Sequence, residues 1–489
     1  MSSQKQYKTL FKATSLFGIV EVLRLFLKLV INFAAGRILG VQGFGLVGLI
    51  ENTTQLITSF TNFGINFIGI REIAAKKGVN EQEFQKTIKA INFFSIATGL
   101  LAAIVSIVLS SLLSKLTFET TDYYIWFILL SVYFVFTSLT QNKIIFLEGT
   151  QNFSKLIRIN ILSNAVNTVV VILSYYFFKI NGIIIAMILS AIVTYLIYLK
   201  LTLVPNTNIK LTTNEKQTYF KEYIKSGSLM ALNVFIGFLC YYVIRIFLKD
   251  HNSAYLSYYN VGNIILVSYL GMIFIAMSKY FFPKLTQTIK EKDDSNLLIN
   301  NQLEMSLLVI LPAILIVYSF GNELISLFFS KDFKPAYSIL IFGLLSIVFR
   351  GFNYAIGYLF LAHKNYKQYF IINALSDVLN AVLSIILFNK IGLYGIGLAI
   401  LVNYVLSSIY IYFYVNKVYD FKLNKATKTL FLGSVLITAC LIWLYFNLNA
   451  HYFFIIAVVL AILSLFFSVL KFDSYIFDNK IKNKIKSLF

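Results

Sequence analysis

The fold of this chain is decided by residues 21–31, which read Glu21-Val22-Leu23-Arg24-Leu25-Phe26-Leu27-Lys28-Leu29-Val30-Ile31. They form the centre of an apolar stretch, Phe17–Gly40, that is long enough to cross a bilayer as a helix. Glu21, Arg24 and Lys28 are three and four residues apart, so they lie on one face of that helix. A charge at the bilayer centre costs about 2.5–3.5 kcal/mol, so this face must point into protein or a watery cavity. Other membrane helices must therefore surround it.

The composition predicts a polytopic, all-α membrane protein. Hydrophobic residues make up 58% of the 489 residues and charged residues only 13%, and the mean hydropathy is +0.77, outside the range of soluble domains. Long continuous apolar runs without period-two alternation exclude a strand-built barrel. We expect fourteen spans, the ninth short and broken by Pro312. They are 12–36, 44–68, 90–113, 123–146, 157–178, 182–203, 224–248, 257–282, 304–320, 337–361, 368–388, 393–416, 428–446 and 451–470.

The basic residues predict the orientation. About 31 of the 42 lysines and arginines fall in alternate loops and the two ends, against about seven in the other loops. Both termini are therefore expected in the cytoplasm, and the net charge of +21 reflects membrane orientation rather than nucleic-acid binding.

An internal repeat predicts two lobes. With a shift of 213 positions, residues 152–186 fall on residues 365–399 without a gap. Identical pairs include Asn152/Asn365, Asn160/Asn373, Asn167/Asn380 and Gly182/Gly395. We expect an N-lobe of spans 1–6 at 1–203, a cytoplasmic linker at 204–218, a C-lobe of spans 7–12 at 219–416, and an added helix pair with a basic tail at 417–489. Such lobes predict a transporter with a central cavity.

Basic side chains inside the spans are candidates for binding an anionic head group. Arg24, Lys28 and Glu21 together carry one net positive charge, and the planar guanidinium of arginine can bind two phosphate oxygens. The alternative is that the three charges hold span one against a neighbouring helix. Arg350 lies in mid-span, where it is more expected to line a cavity than to sit in a core. Arg245 lies near a span end, so it either binds substrate or reaches to the interface.

Two acids inside spans are candidates for proton or sodium coupling. Asp377 belongs to a stripe with Asn373 and Asn380, and the repeat carries Asn160, Asn164 and Asn167 at the same places. The shared asparagines favour hydrogen bonding between helices. Asp377, present in one half only, and Glu51 in span two remain the candidates for ion coupling.

Several sequence features are not found. There is no nucleotide-binding loop, no metal-ligand spacing, no catalytic constellation and no large outward domain. We therefore expect neither an enzyme nor a bound cofactor.

Two further runs resemble a known family. The first is Gly36-Arg37-Ile38-Leu39-Gly40-Val41-Gln42-Gly43-Phe44-Gly45, and the second is Leu361-Ala362-His363-Lys364-Asn365 followed by Asn373, Asn380 and Gly392-Leu393-Tyr394-Gly395-Ile396-Gly397-Leu398-Ala399. They are similar to polysaccharide-export flippases of the Wzx type, within the multidrug/oligosaccharidyl-lipid/polysaccharide exporter superfamily. The resemblance covers essentially the whole chain.

The resemblance implies a flippase that carries an undecaprenyl-pyrophosphate-linked glycan, such as an O-antigen or capsule unit, from the inner to the outer leaflet of a bacterial cytoplasmic membrane. It also implies that Arg24, Lys28 and Arg350 attract the pyrophosphate. The added hairpin at 428–470 resembles one that guides the lipid tail. Membrane lipids, and a glycan polymerase, are the other partners implied.

Two alternatives remain. One is a cation-coupled drug exporter of the same superfamily, which would favour acids over bases in its cleft. The other is a membrane enzyme that polymerises or ligates glycans, which would need a long outward loop.

Overall fold

A computed structural model describes residues 23–78, 80–202, 211–289 and 292–476. Glu21 and the basic residues of both chain ends lie outside the described residues. Two compact units make up the described chain: Phe26–Ser257 forms the first, and the described chain from Tyr258 onward, together with residues 23–25, forms the second. The predicted lobe boundaries at 203 and 219 stay a prediction.

The first nine helices begin with α1 at residues 23–38. The others are α2 (Gly40–Thr61), α3 (Ile65–Lys76), α4 (Glu81–Val108), α5 (Ser110–Phe118), α6 (Tyr124–Gly149), α7 (Phe153–Phe178), α8 (Gly182–Leu201) and α9 (Thr213–His251).

Eight more helices follow. They are α10 (Ser253–Asn263), α11 (Met272–Thr288), α12 (Lys292–Phe328), α13 (Tyr337–Ala362), α14 (Tyr366–Ile391), α15 (Leu393–Tyr419), α16 (Lys425–Asn447) and α17 (Ala450–Ile476). A π-helical segment, Ile264–Tyr269, lies between α10 and α11.

The predicted all-α, membrane-spanning fold is confirmed. Eleven helical stretches in the described ranges are long and apolar enough to cross a bilayer. One of them, Phe153–Leu201, holds both α7 and α8, which are joined by a 3-10 turn at Lys179–Asn181. A total of fourteen spans is compatible with this arrangement and stays a prediction.

The first unit is built on α2, α3, α4, α6 and α9. Isoleucines and phenylalanines of α3 and α4 bury against α6 and α9 in one core cluster, with Ile91 and Ile145 fully enclosed. A second cluster joins α6, α7 and α8.

Span two is not the continuous helix that the sequence predicts for 44–68. The chain breaks between α2 and α3 at Asn62–Gly64, where Phe63 and Gly64 take positive φ values of 47° and 73°. A Cβ on Gly64 would lie 2.6 Å from the carbonyl oxygen of Gly227 on α9. Glycine at this position therefore supplies both the left-handed backbone and the close approach of α9.

The second unit is centred on α12 and α13. In the apolar stretches of these two helices 78% and 72% of the residues are buried, against 17% in those of α14 and α16. The prediction of a short ninth span broken by Pro312 is wrong, because α12 continues through this proline for 37 residues. Neighbouring helices enclose α12 and hold it together where the proline removes one hydrogen bond.

The repeat predicted from the sequence reappears in the backbone. Gln151 and Lys364, 213 residues apart, both adopt positive φ just before α7 and α14. The Asn152 and Asn365 amides then donate to the carbonyls of Leu147 and Phe360, which have the same offset.

Candidate functional site

Arg350 reaches from α13 to an irregular turn of the same unit. Its Nη1 donates a hydrogen bond to the carbonyl oxygen of Leu266 at 3.1 Å, within the π-helical segment. The guanidinium also lies 5.6 Å from the centre of the Phe274 ring. Gly271 leaves room for it, since a Cβ there would lie 3.0 Å from both terminal nitrogens. The half-buried cation is therefore held in place while part of its donor set stays available.

The other predicted cations lie on two further helices. Arg24 and Lys28 are exposed and lie one turn apart on α1. Arg245 is half-buried on α9, with its guanidinium 5.8 Å from the ring centre of Tyr241 on the same helix. That these side chains and Arg350 bind one head group together stays a prediction.

The predicted acids occupy different surroundings. Asp377 is half-buried on α14, in a stripe where Asn373 Nδ2 donates back to the carbonyl of Tyr369 at 2.8 Å. Glu51 on α2 is exposed. Ion coupling through either acid stays a prediction.

Two of the three asparagines of the first half, Asn160 and Asn167, join helices as the sequence predicts. Asn167 Nδ2 donates to Thr194 Oγ1 at 2.7 Å, and the Tyr198 hydroxyl donates to Asn160 Oδ1 at 2.7 Å. Both bonds connect α7 with α8.

A deep groove lies between α12, α16 and α17 in the second unit. Its volume is about 770 Å³ and its walls are mostly leucine, isoleucine and phenylalanine side chains. Leu463 and Phe467 on α17 are 57% and 44% exposed. On a membrane protein, such an exposed apolar surface is suited to a hydrocarbon chain.

One end of this groove is polar. It is lined by Lys425, Lys471, Glu304 and Tyr475. The buried Glu304 carboxylate accepts hydrogen bonds from the Thr427 hydroxyl at 2.7 Å and from the Tyr475 hydroxyl at 3.4 Å. Two lysines thus flank the mouth of an apolar channel, an arrangement that suits an amphiphile with an anionic head.

Sequence reasoning placed this hairpin but missed the groove residues. Glu304 and Lys425 are 121 positions apart, and their meeting depends on how α16 docks on α12. A detectable signal was present, since basic residues occur where the predicted spans 13 and 14 meet the cytoplasm.

Comparison with known proteins agrees with the fold. The chain is similar to a structure described as the lipid II flippase MurJ in an inward closed conformation, with a TM-score of 0.71, 18% identity, and coverage of 94% of this chain and 99% of that one. It is also similar to an inward-facing multidrug resistance MATE transporter, with a TM-score of 0.68, 14% identity, and coverage of 84% and 99%.

A third similar structure is a transporter of the same superfamily from Pyrococcus furiosus, with a TM-score of 0.64, 13% identity, and coverage of 86% and 98%. At these identities the likeness shows the fold. No curated protein sequence matches the chain.

A family model described as polysaccharide biosynthesis protein matches residues 35–338, which is more than half of the chain. The match begins in α1, spans the rest of the first unit, and ends at the start of α13. With the multidrug/oligosaccharidyl-lipid/polysaccharide exporter fold around it, this match shows that the chain belongs to the polysaccharide biosynthesis protein family.

Proposed function

We propose that this protein is a flippase that moves an undecaprenyl-pyrophosphate-linked oligosaccharide from the inner to the outer leaflet of a bacterial cytoplasmic membrane. The cargo is a complete repeat unit of a surface polysaccharide, such as an O-antigen or capsule, and transport follows alternating access. Membership of the polysaccharide biosynthesis family and the likeness to the fold of a lipid II flippase support this proposal.

The groove between α12, α16 and α17 carries the proposal. The polyprenyl tail of such a lipid is apolar along its whole length. It is therefore stable in an apolar channel while the polar head group is bound by protein. The groove offers apolar walls for the tail and two lysines, Lys425 and Lys471, at one end. Lysine binds phosphate as a point charge.

The cations inside the spans supply the second support. Arg350 uses one nitrogen on the Leu266 carbonyl, and a guanidinium has five N–H donors in a fixed fork. The remaining donors can bind two oxygens of a diphosphate, and Arg24 and Lys28 add charge that attracts it.

Transport against a gradient needs an energy source. We propose that Asp377 binds a proton or sodium ion during the cycle, with Glu51 as the second candidate. A carboxylate in a membrane helix is costly, and its pairing with a cation removes that cost in one state of the cycle.

A strain without the gene tests the proposal. Its undecaprenyl-linked intermediates are extracted and compared with those of the wild type by mass spectrometry. We expect a complete, unexported repeat unit to accumulate, and the wild-type gene to reverse this. Accumulation also identifies the glycan.

Two other results would contradict a flippase. Normal intermediates together with new sensitivity to cationic drugs would favour a drug exporter, the activity named for the second similar structure. Exported but unpolymerised units would favour an enzyme or a partner of the polymerase.

A further inference from the structure

The break in span two lies against a small polar cavity in the first unit. The cavity has a volume of about 100 Å³ and is lined by residues of α2, α3, α4 and α6, among them the Asn62 of the break. Ser95 is the fifteenth of 28 residues of α4, and Ser138 is the fifteenth of 26 residues of α6. In the predicted spans 90–113 and 123–146, Ser95 is the sixth residue from one end and Ser138 the ninth, so the cavity lies within the membrane.

Irregular backbone at this depth needs a reason. Within a membrane, a broken helix is tolerated where protein buries it or where it lines a watery cavity. Broken helices in the middle of membrane proteins commonly hold ions or substrates, because their ends expose polar backbone groups.

Three polar atoms in the cavity wall lack a hydrogen-bond partner. They are Asn62 Oδ1, Asn66 Oδ1 and Ser95 Oγ. Only 2% of the surface of Ser95 is exposed. A buried polar atom without a partner costs about 1–3 kcal/mol, and three such atoms around one cavity indicate that water or an ion occupies it.

Five hydroxyls of the lining offer oxygen lone pairs rather than protons to the cavity. The hydroxyls of Thr58, Thr61 and Thr137 donate to backbone carbonyls of their own helices at 2.8–3.0 Å. Thr98 and Ser138 both donate to the carbonyl of Ser95. With these protons used, each hydroxyl has only acceptor capacity left for the cavity.

The lining contains no charged side chain. Neutral hydroxyl and carbonyl oxygens, without a carboxylate, suit a monovalent cation better than Ca²⁺ or Mg²⁺, whose sites use carboxylates. Carbonyl oxygens alone can replace the hydration shell of such a cation. The volume has room for about three water-sized groups at ~30 Å³ each, so the ion would keep part of its water.

We propose that the cavity between α2, α3, α4 and α6 binds a monovalent cation together with water. The cation joins the break at Asn62–Gly64 to the middle of α4 and α6. This site is separate from Asp377, which lies in the other unit, and it does not depend on the identity of the transported glycan.

Equilibrium binding of radioactive cations to the purified protein tests the proposal. ²²Na⁺ and ⁸⁶Rb⁺, a stand-in for K⁺, are measured by scintillation proximity, with choline chloride keeping the ionic strength constant. The Asp377→Asn variant removes any ion held at that carboxylate. We expect it to keep saturable binding of one of the two cations.

Variants of the lining then locate the ion. Ser95→Ala and Asn66→Leu each remove one oxygen and should weaken binding about tenfold or more, whereas Ser95→Thr, which keeps the hydroxyl, should bind like the wild type. Ser384→Ala is the matched control, because Ser384 on α14 also has a buried hydroxyl without a hydrogen-bond partner. It should leave binding unchanged.

Size-exclusion profiles and melting curves verify that each variant is folded. A cavity that holds water alone would give no saturable binding of either cation in the Asp377→Asn protein, and this result would overturn the proposal. Unchanged affinity in folded Ser95→Ala and Asn66→Leu proteins would overturn it equally.

Discussion

The guanidinium of Arg350 has a structural partner and is also a candidate ligand for the cargo. Its hydrogen bond to the Leu266 carbonyl spans 84 positions of sequence and supports the π-helical segment Ile264–Tyr269. π-Helical turns are rare and occur often at functional sites. The two roles can be separated by substitutions that keep charge or shape alone.

Arg350→Lys keeps the charge but loses the fork, and we expect it to reduce export of the glycan about tenfold or more. A lysine that bonds to Leu266 has no planar pair of donors left for a diphosphate. Arg350→Gln removes the charge and should abolish export. Export is measured as surface polysaccharide per folded protein in the complemented deletion strain.

A melting curve separates the structural role. Loss of the hydrogen bond to the Leu266 carbonyl should lower the free energy of unfolding by about 1 kcal/mol in Arg350→Gln, whereas Arg350→Lys, which keeps a donor for this carbonyl, should lose less. If export per folded protein stays at the wild-type level in Arg350→Gln, Arg350 acts on the π-helical turn alone.

The position of Arg350 in mid-span follows from the sequence, but its partner does not. Whether a half-buried arginine meets a carbonyl or a carboxylate depends on the rotation of two helices far apart in the chain. The same limit applies to Glu304, whose contact with Thr427 spans 123 positions.

Helix α9 is connected to the rest of the first unit by an ion pair near each of its ends. Lys86 Nζ on α4 lies 2.8 Å from Glu215 Oε1 near the start of α9, and Lys249 Nζ near its other end lies 2.9 Å from Glu119 Oε1. Glu215 also closes the capping box with Thr212. The first turns of α9 are thus held by both a cap and a charge.

Lys86→Met should loosen the start of α9 while leaving the capping box intact. We expect hydrogen exchange of the amides in 213–222 to become roughly two- to fivefold faster, the range that a partly exposed ion pair supports. Exchange at the other end of α9 serves as the internal control. Equal rates in both proteins would mean that the cap alone holds this end.

The pH dependence of the same contact has a definite sign. The hydrogen bond from Lys86, followed by those from Thr212, lowers the pKa of Glu215 to about 2 from its ordinary 4.5. A lowered pKa stabilises the folded state at every pH above the ordinary value. The protection of 213–222 should therefore stay constant from pH 5 to 8, after correction for intrinsic exchange, and should fall as the pH drops from 4.5 towards 2.

The groove between α12, α16 and α17 offers one position from which a new side chain can enter it. Gly433 on α16 lines the groove, and a Cβ at this glycine would meet no atom within 4 Å. Gly433→Trp should occupy the tail channel and reduce export about tenfold or more, whereas Gly433→Ala should export normally and be stabilised by about 0.5–1 kcal/mol in α16.

Export by Gly433→Trp at the wild-type rate would mean that no lipid tail passes this point. Both variants should reach the membrane in equal amounts, which immunoblots of isolated membranes verify.

Helix type was predictable along most of the chain, and helix continuity was not. Apolar runs of membrane length identify the spans, because a helix must be apolar over the whole thickness of the bilayer core. Asn62-Phe63-Gly64 lies in such a run, so hydropathy does not reveal the break that Gly227 of α9 permits. Pro312 predicted a break that does not exist, because α12 is enclosed by neighbouring helices and stays continuous.

The placement of its charges predicts an orientation for the whole chain. About 31 basic residues fall on one predicted side and about seven on the other, and cytoplasmic loops carry this excess. One miscounted span would invert every later loop, so the orientation and the count of fourteen are tested together.

Single cysteines in exposed loop positions make that test. In a background with Cys240→Ser and Cys440→Ser, we expect Asp122→Cys and Asn449→Cys to react with a membrane-impermeant maleimide in intact cells. Lys364→Cys and Lys422→Cys should react only after the cells are opened. All four side chains are exposed, so access to the reagent is decided by the side of the membrane.

The pattern of reaction distinguishes the two errors that matter. A complete inversion would mean that the predicted orientation is wrong while the count holds. Reaction of Lys364→Cys in intact cells together with Asp122→Cys would mean that one span between them is miscounted. The pair at 422 and 449 flanks α16 alone, so their opposite behaviour is the condition for α16 and α17 to form a membrane hairpin and for the groove beside them to face lipid.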